Sequence, residues 1–311
     1  MDFLAQYGLF ALKTFTLVIA FLLLVAGIVA LGRKPKPKLE IISLNKQWES
    51  MQQRMHKEIL GKKLPKEKKS KEPKSSLYVL DFTGDIKASQ VEQLREEITA
   101  ILEVAQPEDE VVIRLESPGG AVNGYGLAAS QLQRIRDKKI PLTVCIDKMA
   151  ASGGYLMACV ANHIVAAPFA IIGSIGVVAQ LPNFHRWLKK NDIDVELLTA
   201  GEYKRTLTLF GENTEKGRKK FQEDLEKIHQ SFRQYVLENR QELDIDKVAT
   251  GEHWLASDAY DLRLVDSLQT SDEYLSEKKA AYNCFKITVH GKQNLMSKLL
   301  KPAMKLLHPW A

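Results

Sequence analysis

Residues 148–155 read KMAASGGY, and together with the segments on either side they decide the fold. The apolar run LTVCI at 142–146 before them is typical of a buried strand, and YLMACVA at 155–161 after them predicts a helix. A strand, a tight turn of small residues, a serine and a helix form the layout of a nucleophile elbow. Ser152 is therefore a candidate nucleophile, with backbone N–H groups beside it that can stabilise an oxyanion. On this stretch alone, Ser152 could equally be a helix N-cap.

The same alternation of strand and helix extends through the preceding part of the chain. Strands are predicted at 77–82 and 110–116, and helices at 88–104 and 123–138. This pattern predicts an α/β fold with a parallel sheet, in which ligands bind beyond the carboxyl ends of the strands. A second glycine-rich turn, SPGG at 117–120, falls at that edge. It is either an ordinary turn or a second source of N–H groups for the cleft.

Further elements are predicted after the glycine-rich turns. A further strand is predicted at 195–199 and a long polar helix at 214–240. Neither glycine-rich turn has the spacing of a P-loop or of a dinucleotide-binding motif, so no nucleotide cofactor is predicted.

The three cysteines have no metal-ligand spacing, which predicts buried thiols and no metal site; they are Cys145, Cys159 and Cys284.

The N-terminal segment is predicted to be a membrane anchor. Residues 14–31 carry no charge, and a helix needs roughly 20 apolar residues to span a bilayer. A cleaved signal peptide is the alternative, but no basic residue precedes Lys13 and no clear cleavage site follows. The basic flank RKPKPK at 33–38 predicts a cytoplasmic catalytic domain by the positive-inside rule.

These patterns divide the chain into four parts. Residues 1–38 form the membrane anchor with its basic flank, and residues 39–76 an amphipathic helix and a lysine-rich tether. Residues 77–290 form the globular domain, and residues 291–311 a basic amphipathic tail that lies on lipid or on a partner subunit. Because much of the net charge of +6 is concentrated in the tether, the sequence does not indicate nucleic-acid binding.

A serine nucleophile needs a proton acceptor, and the residues alone do not identify it. None of the seven histidines is linked to an acidic residue by a local signal. A lysine loses its proton readily when it is desolvated in an apolar site. Lys204 follows a predicted strand end and Gly201, whereas Lys148 is close to Ser152 in sequence but could equally point to solvent. Ser174, in the apolar segment 169–178, needs a hydrogen-bond partner, either from local backbone or from a site residue.

Four motifs resemble, in order and spacing, those of the SppA/SohB family of membrane-bound serine–lysine peptidases. They are SPGG at 117–120, MAASGGY at 149–155, GSIGV at 173–177 and GEYKR at 201–205. The N-terminal apolar segment and charged tether resemble the SohB branch in particular. The resemblance covers about residues 77–266 and implies a ClpP/crotonase-like fold of stacked ββα units.

The resemblance also assigns roles to single residues. It implies that Ser152 is the nucleophile and Lys204 the general base. It implies that the backbone N–H groups of Gly119 and Gly153 form the oxyanion hole, and that Ser174 hydrogen-bonds the amine of the lysine. No metal or other cofactor is implied.

What the resemblance implies about function is a membrane-anchored serine endopeptidase that acts through an acyl-enzyme. Its substrates would be membrane-associated peptides or misfolded envelope proteins, and it would assemble as a homo-oligomeric ring or dome. It would cross the bacterial inner membrane once; the family suggests a periplasmic catalytic domain, in conflict with the basic flank. The alternatives are a non-cleaving membrane-anchored scaffold on the same fold and an acyl-CoA enzyme, which lacks support from any CoA-binding pattern.

Overall fold

The computed structural model describes residues 2–32, 38–61 and 75–290. Contacts divide the chain into two compact units, of which one spans Glu40–Val289 and the other contains the first helix. The elements in chain order are α1 (Asp2–Gly32), β1 (Lys38–Ser43), α2 (Leu44–Leu60), β2 (Ser76–Thr83), α3 (Val91–Leu102), β3 (Glu110–Glu116), α4 (Val122–Asp137), β4 (Leu142–Ile146), β5 (Met149–Ala151), α5 (Gly153–Ala158), β6 (His163–Ala166), β7 (Ile171–Gly173), α6 (His185–Lys190), α7 (Glu215–Asn239), α8 (Ile245–Val248), β8 (His253–Leu255), α9 (Ala256–Asp261), β9 (Ser267–Leu268), α10 (Ser271–Lys278) and β10 (Asn283–His290).

The larger unit is built on a seven-stranded sheet with the order β1-β10-β2-β3-β4-β6-β9. Every pairing from β10 to β9 is parallel, because each of these strands is reached through a crossover connection. A smaller sheet has the order β5-β7-β8, with β5 parallel and β8 antiparallel to β7. The predicted α/β fold with a parallel sheet is thus confirmed.

Both faces of the large sheet are covered, so its strands are apolar on both sides. Strand β2 shows the alternation, since Tyr78, Leu80 and Phe82 belong to one buried cluster and Leu77 and Val79 to another. Helices α3, α4 and α5 contribute to the first cluster, and α10 contributes to the second. The carboxyl ends of the strands remain as the edge at which a site can form.

The prediction of a strand at 195–199 is wrong. These residues have no regular secondary structure and all five are exposed. Their apolar composition resembles that of a strand, but a strand needs a neighbouring strand for its backbone N–H and C=O groups. The other corrections are small: the helix after Ser152 begins at Gly153, two residues before the predicted start. All three cysteines are buried, as predicted.

The N-terminal predictions have a mixed outcome. The amphipathic helix predicted after the basic flank corresponds to α2, but it begins only at Leu44, because the residues before it form strand β1. Within the residues that the structure describes, no helix has the length and apolar character needed to cross a membrane, so the single pass predicted at 14–31 is not confirmed. Residues 33–37 of the basic flank, residues 62–74 of the tether and the tail at 291–311 lie outside the described residues.

Candidate active site

The two glycine-rich turns lie side by side at the carboxyl edge of the sheet. Ser117, which follows β3, forms a parallel bridge with Ala150 in β5. The Ser117 N–H donates to the carbonyl of Met149 at 2.8 Å, and the Ala151 N–H donates to the carbonyl of Ser117 at 3.0 Å. These hydrogen bonds hold the start of the SPGG turn against the strand that leads directly into Ser152.

Ser152 has a backbone conformation that L-residues rarely adopt, with φ 52° and ψ −118°. The surroundings hold this conformation, because the Ser152 N–H donates to the carbonyl of Gly173 at 2.8 Å and its carbonyl accepts from Leu156 at 2.9 Å. The residue occupies the N-cap position of α5, but its side chain makes no capping hydrogen bond. The hydroxyl therefore does not serve as a cap, and strain of this kind is typical of a functional residue.

Two glycines flank this serine closely. Gly119 has φ +87°, and a Cβ at this position would lie 2.7 Å from both the backbone nitrogen of Gly153 and the Cβ of Ser152. The Gly153 N–H is the first of helix α5 and has no acceptor within the helix. The Gly119 N–H, in contrast, donates to the hydroxyl of Ser117 at 3.1 Å. Of these two glycine N–H groups, that of Gly153 is available and that of Gly119 is already hydrogen-bonded.

A cavity of about 1790 Å³ opens in front of this turn. Four of the five predicted site residues line it, namely Ser152, Gly119, Gly153 and Ser174. The opposite wall comes from α7, which contributes residues between 222 and 235. The cavity is larger than the roughly 300–1,000 Å³ of a typical small-molecule site, so it can take an extended chain of several residues.

Ser174 has a backbone partner in this structure. Its hydroxyl donates to the carbonyl of Gly251 at 3.5 Å, and its N–H donates to the carbonyl of Glu252 at 2.6 Å. Like Ser152, it has a positive φ of 52°. The partner of the hydroxyl is therefore a backbone carbonyl, but it belongs to a residue 77 positions away and not to the local backbone that the sequence offered as one alternative.

Lys204 does not line the cavity. It is exposed, in the irregular segment between α6 and α7, and its N–H donates to the carbonyl of Gly201 at 3.2 Å. Its neighbours attach the segment to the first turns of α7, since Glu202 forms an ion pair with Lys216 at 2.5 Å and Tyr203 lies beneath two lysine side chains of that helix. The structure therefore does not bring Lys204 to Ser152.

Residues on α7 belong to the site although the sequence did not single them out. His229 lines the cavity, and its Nε2 lies 3.2 Å from the carbonyl oxygen of Ile175, to which it can only donate. Phe232 and Tyr235 extend this wall. The polar, amphipathic sequence of 214–240 predicted the helix, but no local signal indicated which edge of the sheet it would face.

Comparisons with known proteins point to one peptidase family. The profile described as Peptidase family S49 matches residues 134–284, and that of the Peptidase family S49 N-terminal region matches residues 2–132. The chain is 49% identical to "Probable protease SohB" of Haemophilus influenzae, with 97% of this chain and 93% of that protein covered. It is 48% identical to "Probable protease SohB" of Buchnera aphidicola subsp. Schlechtendalia chinensis, with 88% and 99% covered.

One solved structure that is similar to the chain is that of the 1510-N membrane-bound stomatin-specific protease. It is 17% identical, with a TM-score of 0.46, and the alignment covers 74% of this chain and 100% of that chain.

Proposed function

The chain belongs to peptidase family S49 and is a serine peptidase, and we propose that Ser152 and Lys204 form its catalytic Ser-Lys dyad. The observation that carries this assignment is the position of Ser152. It lies on a strained turn at a helix N-terminus, without a capping role, and faces a cavity large enough for a peptide. The ClpP/crotonase-like arrangement implied by the sequence motifs is part of this proposal.

In the proposed reaction, neutral Lys204 takes the proton of the Ser152 hydroxyl as its Oγ attacks the carbonyl carbon of the scissile peptide bond. The C–N bond of the tetrahedral intermediate then breaks, and the protonated lysine returns the proton to the leaving amine. Water, deprotonated by the same lysine, hydrolyses the acyl-enzyme and regenerates the Ser152 hydroxyl. The cycle is balanced in protons and needs no metal or other cofactor.

The proposed oxyanion hole consists of the Gly119 and Gly153 amides. Their backbones are in contact, and the Gly153 N–H lies at the positive end of α5. Removing one such donor typically costs about 3 kcal/mol of transition-state stabilisation. The proposed role of Ser174 is to accept or donate a hydrogen bond at the lysine amine once the lysine enters the cavity that Ser174 lines.

Lys204 can reach Ser152 only if the segment around it changes position or comes from another copy of the chain. Residues 178–210, which include this segment, expose many apolar side chains that a second copy would cover; they are Val178, Leu181, Phe184, Trp187, Ile193, Val195, Leu197, Leu198, Tyr203, Leu209 and Phe210. A homo-oligomer, as a ring or dome, is therefore part of the proposal.

The proposed substrates are membrane-associated peptides or misfolded envelope proteins, cleaved internally. The proposed attachment is a single pass at residues 14–31 in a bacterial inner membrane, supported by the uncharged run there. A topology reporter fused after Asp266 tests the side of the membrane: a signal only from the cytoplasm would contradict a periplasmic catalytic domain.

Labelling of the active site tests the nucleophile. We expect a fluorophosphonate probe to label the wild-type chain in detergent, and Ser152→Ala to lose both labelling and casein cleavage. Ser257→Ala is the control, since this serine is exposed on α9 and does not line the cavity. Equal labelling of wild type and Ser152→Ala would refute the assignment.

A further inference from the structure

Ser117 is a buried polar residue that the proposed reaction does not use. It is 0% exposed, and it is the serine of the SPGG turn. Its Oγ accepts the N–H of Gly119 at 3.1 Å and lies 2.6 Å from the hydroxyl of Tyr125. A side chain without access to solvent or substrate is thus bonded directly to one of the two proposed oxyanion donors.

The direction of each hydrogen bond in this chain can be assigned. The Tyr125 hydroxyl lies 2.9 Å from the carbonyl oxygen of Asp85, which can only accept, so the single phenolic proton is donated there. Tyr125 then accepts the proton of the Ser117 hydroxyl, and Ser117 accepts the N–H of Gly119. Burial raises the pKa of the Tyr125 phenol, so it remains protonated at neutral pH and the direction is fixed.

Tight packing holds this chain of hydrogen bonds in place. A Cβ on Gly84 would lie 2.3 Å from both the Ser117 Oγ and the Tyr125 hydroxyl. A Cβ on Gly153 would lie 2.4 Å from Cγ of Tyr125, so the tyrosine ring packs directly against the nucleophile turn. Neither hydroxyl therefore has space for an alternative arrangement.

Ser117 also connects the two turns. Its backbone N–H and C=O bond to β5, which ends directly before Ser152, whereas its side chain holds Gly119. The hydrogen bond from Gly119 is near the long end of the normal range, and a charged oxyanion is a stronger acceptor than a neutral hydroxyl. The N–H of Gly119 can therefore pass from Ser117 to an oxyanion without a large movement of the turn.

We propose that Ser117, oriented by Tyr125, is a positioning residue that presets the Gly119 amide of the oxyanion hole. This inference rests on the proposed function, because it assigns a supporting role to residues behind the same site. It predicts that loss of the Ser117 hydroxyl affects the chemical step and not substrate binding, since Ser117 cannot contact substrate.

The test compares Ser117→Ala, Tyr125→Phe and the double variant with wild type, as full-length protein in detergent. Titration with a fluorophosphonate counts active sites, and peptide hydrolysis then gives kcat per titrated site and KM. We expect Ser117→Ala to lower kcat per site by about 10- to 100-fold with KM within about twofold, as for a misplaced donor. The double variant should be no worse than Ser117→Ala alone, because both substitutions interrupt one chain of hydrogen bonds.

Matched controls come from two buried hydroxyl groups on α10, each with its own carboxylate partner. Ser271→Ala removes a hydroxyl that is 2% exposed and donates to Asp147 at 2.6 Å, and Tyr274→Phe removes one that donates to Glu110 at 2.5 Å. Both should lower stability and leave kcat per site unchanged.

The outcomes separate the two proposals. If wild type labels and Ser117→Ala loses titratable sites but keeps its kcat per site, Ser117 is only structural and this inference is wrong. A higher kcat in Ser117→Ala would also overturn it, because Ser117 would then restrain the amide. If wild type itself does not label, both the proposed function and this inference fail.

Discussion

Ser152 and Lys204 lie in surroundings of opposite kinds. The turn around Ser152 is fixed by backbone hydrogen bonds and by glycines whose Cα atoms leave no space for a Cβ. The segment around Lys204 has little regular structure, and a Cβ on its glycine, Gly201, would meet nothing within 4 Å. The single chain therefore fixes the backbone of the proposed nucleophile, whereas the proposed base depends on an arrangement that the isolated chain does not contain.

The two regions also differ in what they contribute to the stability of the larger unit. Residues around Ser152 belong to the buried core, so they are ordered by the same contacts that stabilise the sheet. The lysine segment contributes exposed apolar side chains, which are costly in water until another surface covers them. Substitutions that disturb the packing around Ser152 should thus lower stability strongly, whereas substitutions in the segment around Lys204 should lower stability little and act mainly on activity or assembly.

The largest effect predicted for the segment around Lys204 is that of Lys204→Ala. We expect peptide hydrolysis to fall by about 10³-fold or more, because a positioned general base contributes up to about 10⁴-fold. The denaturation midpoint should match that of wild type, since Lys204 is exposed and outside the cavity. Lys148→Ala, at an exposed lysine paired with Glu116, is the control. Full activity in Lys204→Ala would refute its role as the base.

Much of the region around Ser152 could be predicted from the sequence. The short apolar strands, the glycine-rich turns that follow them and the serine before a helix are local signals, and the structure places them together as expected. Strand β10 was missed, because its place between β1 and β2 depends on residues about 200 positions apart in sequence. The hydrogen bond between Ser117 and Tyr125 was missed although the two residues are only eight positions apart, because it depends on how α4 packs on the sheet.

The lysine segment was predicted less well. Residues 195–199 have the composition of a strand, but nothing pairs with them in the part of the chain that the structure describes. Apolar residues that are buried by another copy and apolar residues buried in the core give the same sequence pattern. The sequence pattern of one chain therefore cannot distinguish a strand of the core from an exposed apolar segment that another copy covers.

A pair of glycine substitutions compares the two regions directly. Gly119 and Gly201 both have a positive φ, +87° and +96° respectively, so alanine introduces similar backbone strain of about 1–2 kcal/mol at each. Only at Gly119 does the new Cβ meet backbone atoms, at 2.7 Å. We expect urea denaturation to give a loss above about 3 kcal/mol for Gly119→Ala and about 1 kcal/mol for Gly201→Ala. Equal losses would show that the two turns are equally free to adjust.

Leu198→Asp tests whether the exposed apolar surface is an interface. Leu198 is 89% exposed, so a charge there should change the stability of a single chain by no more than about 0.5 kcal/mol. If a second copy covers it, the charge is desolvated on assembly, and light scattering in detergent should show a smaller oligomer with activity reduced about tenfold. Ser257→Asp, at an exposed position on α9 outside residues 178–210, adds the same single negative charge and is the control. An unchanged oligomer would place the interface elsewhere.

The smallest predicted effect compares a buried glutamate on α3 with an exposed glutamate in the segment around Lys204. Glu97 is 1% exposed and one of its carboxylate oxygens has no partner among the described residues; burial raises its pKa. Because the folded state holds this proton more tightly than the unfolded state, stability is lost as the pH rises through the pKa of the folded state. Glu97→Gln should therefore be more stable than wild type at pH 8, with a gap that narrows toward pH 5.

Glu202 should respond in the opposite sense. The hydrogen bond from Lys216 lowers its pKa, so its contribution is present at neutral pH and is lost only as the pH falls through the lowered value. Glu202→Gln should be no more stable than wild type at any pH from 5 to 8, and the small difference should stay constant over that range, since the glutamate remains charged. Denaturation midpoints measured at four pH values for both variants provide the check. If the stability difference between Glu97→Gln and wild type did not change with pH, the carboxylate of Glu97 would be hydrated. The buried and exposed regions would then differ less in polarity than their packing indicates.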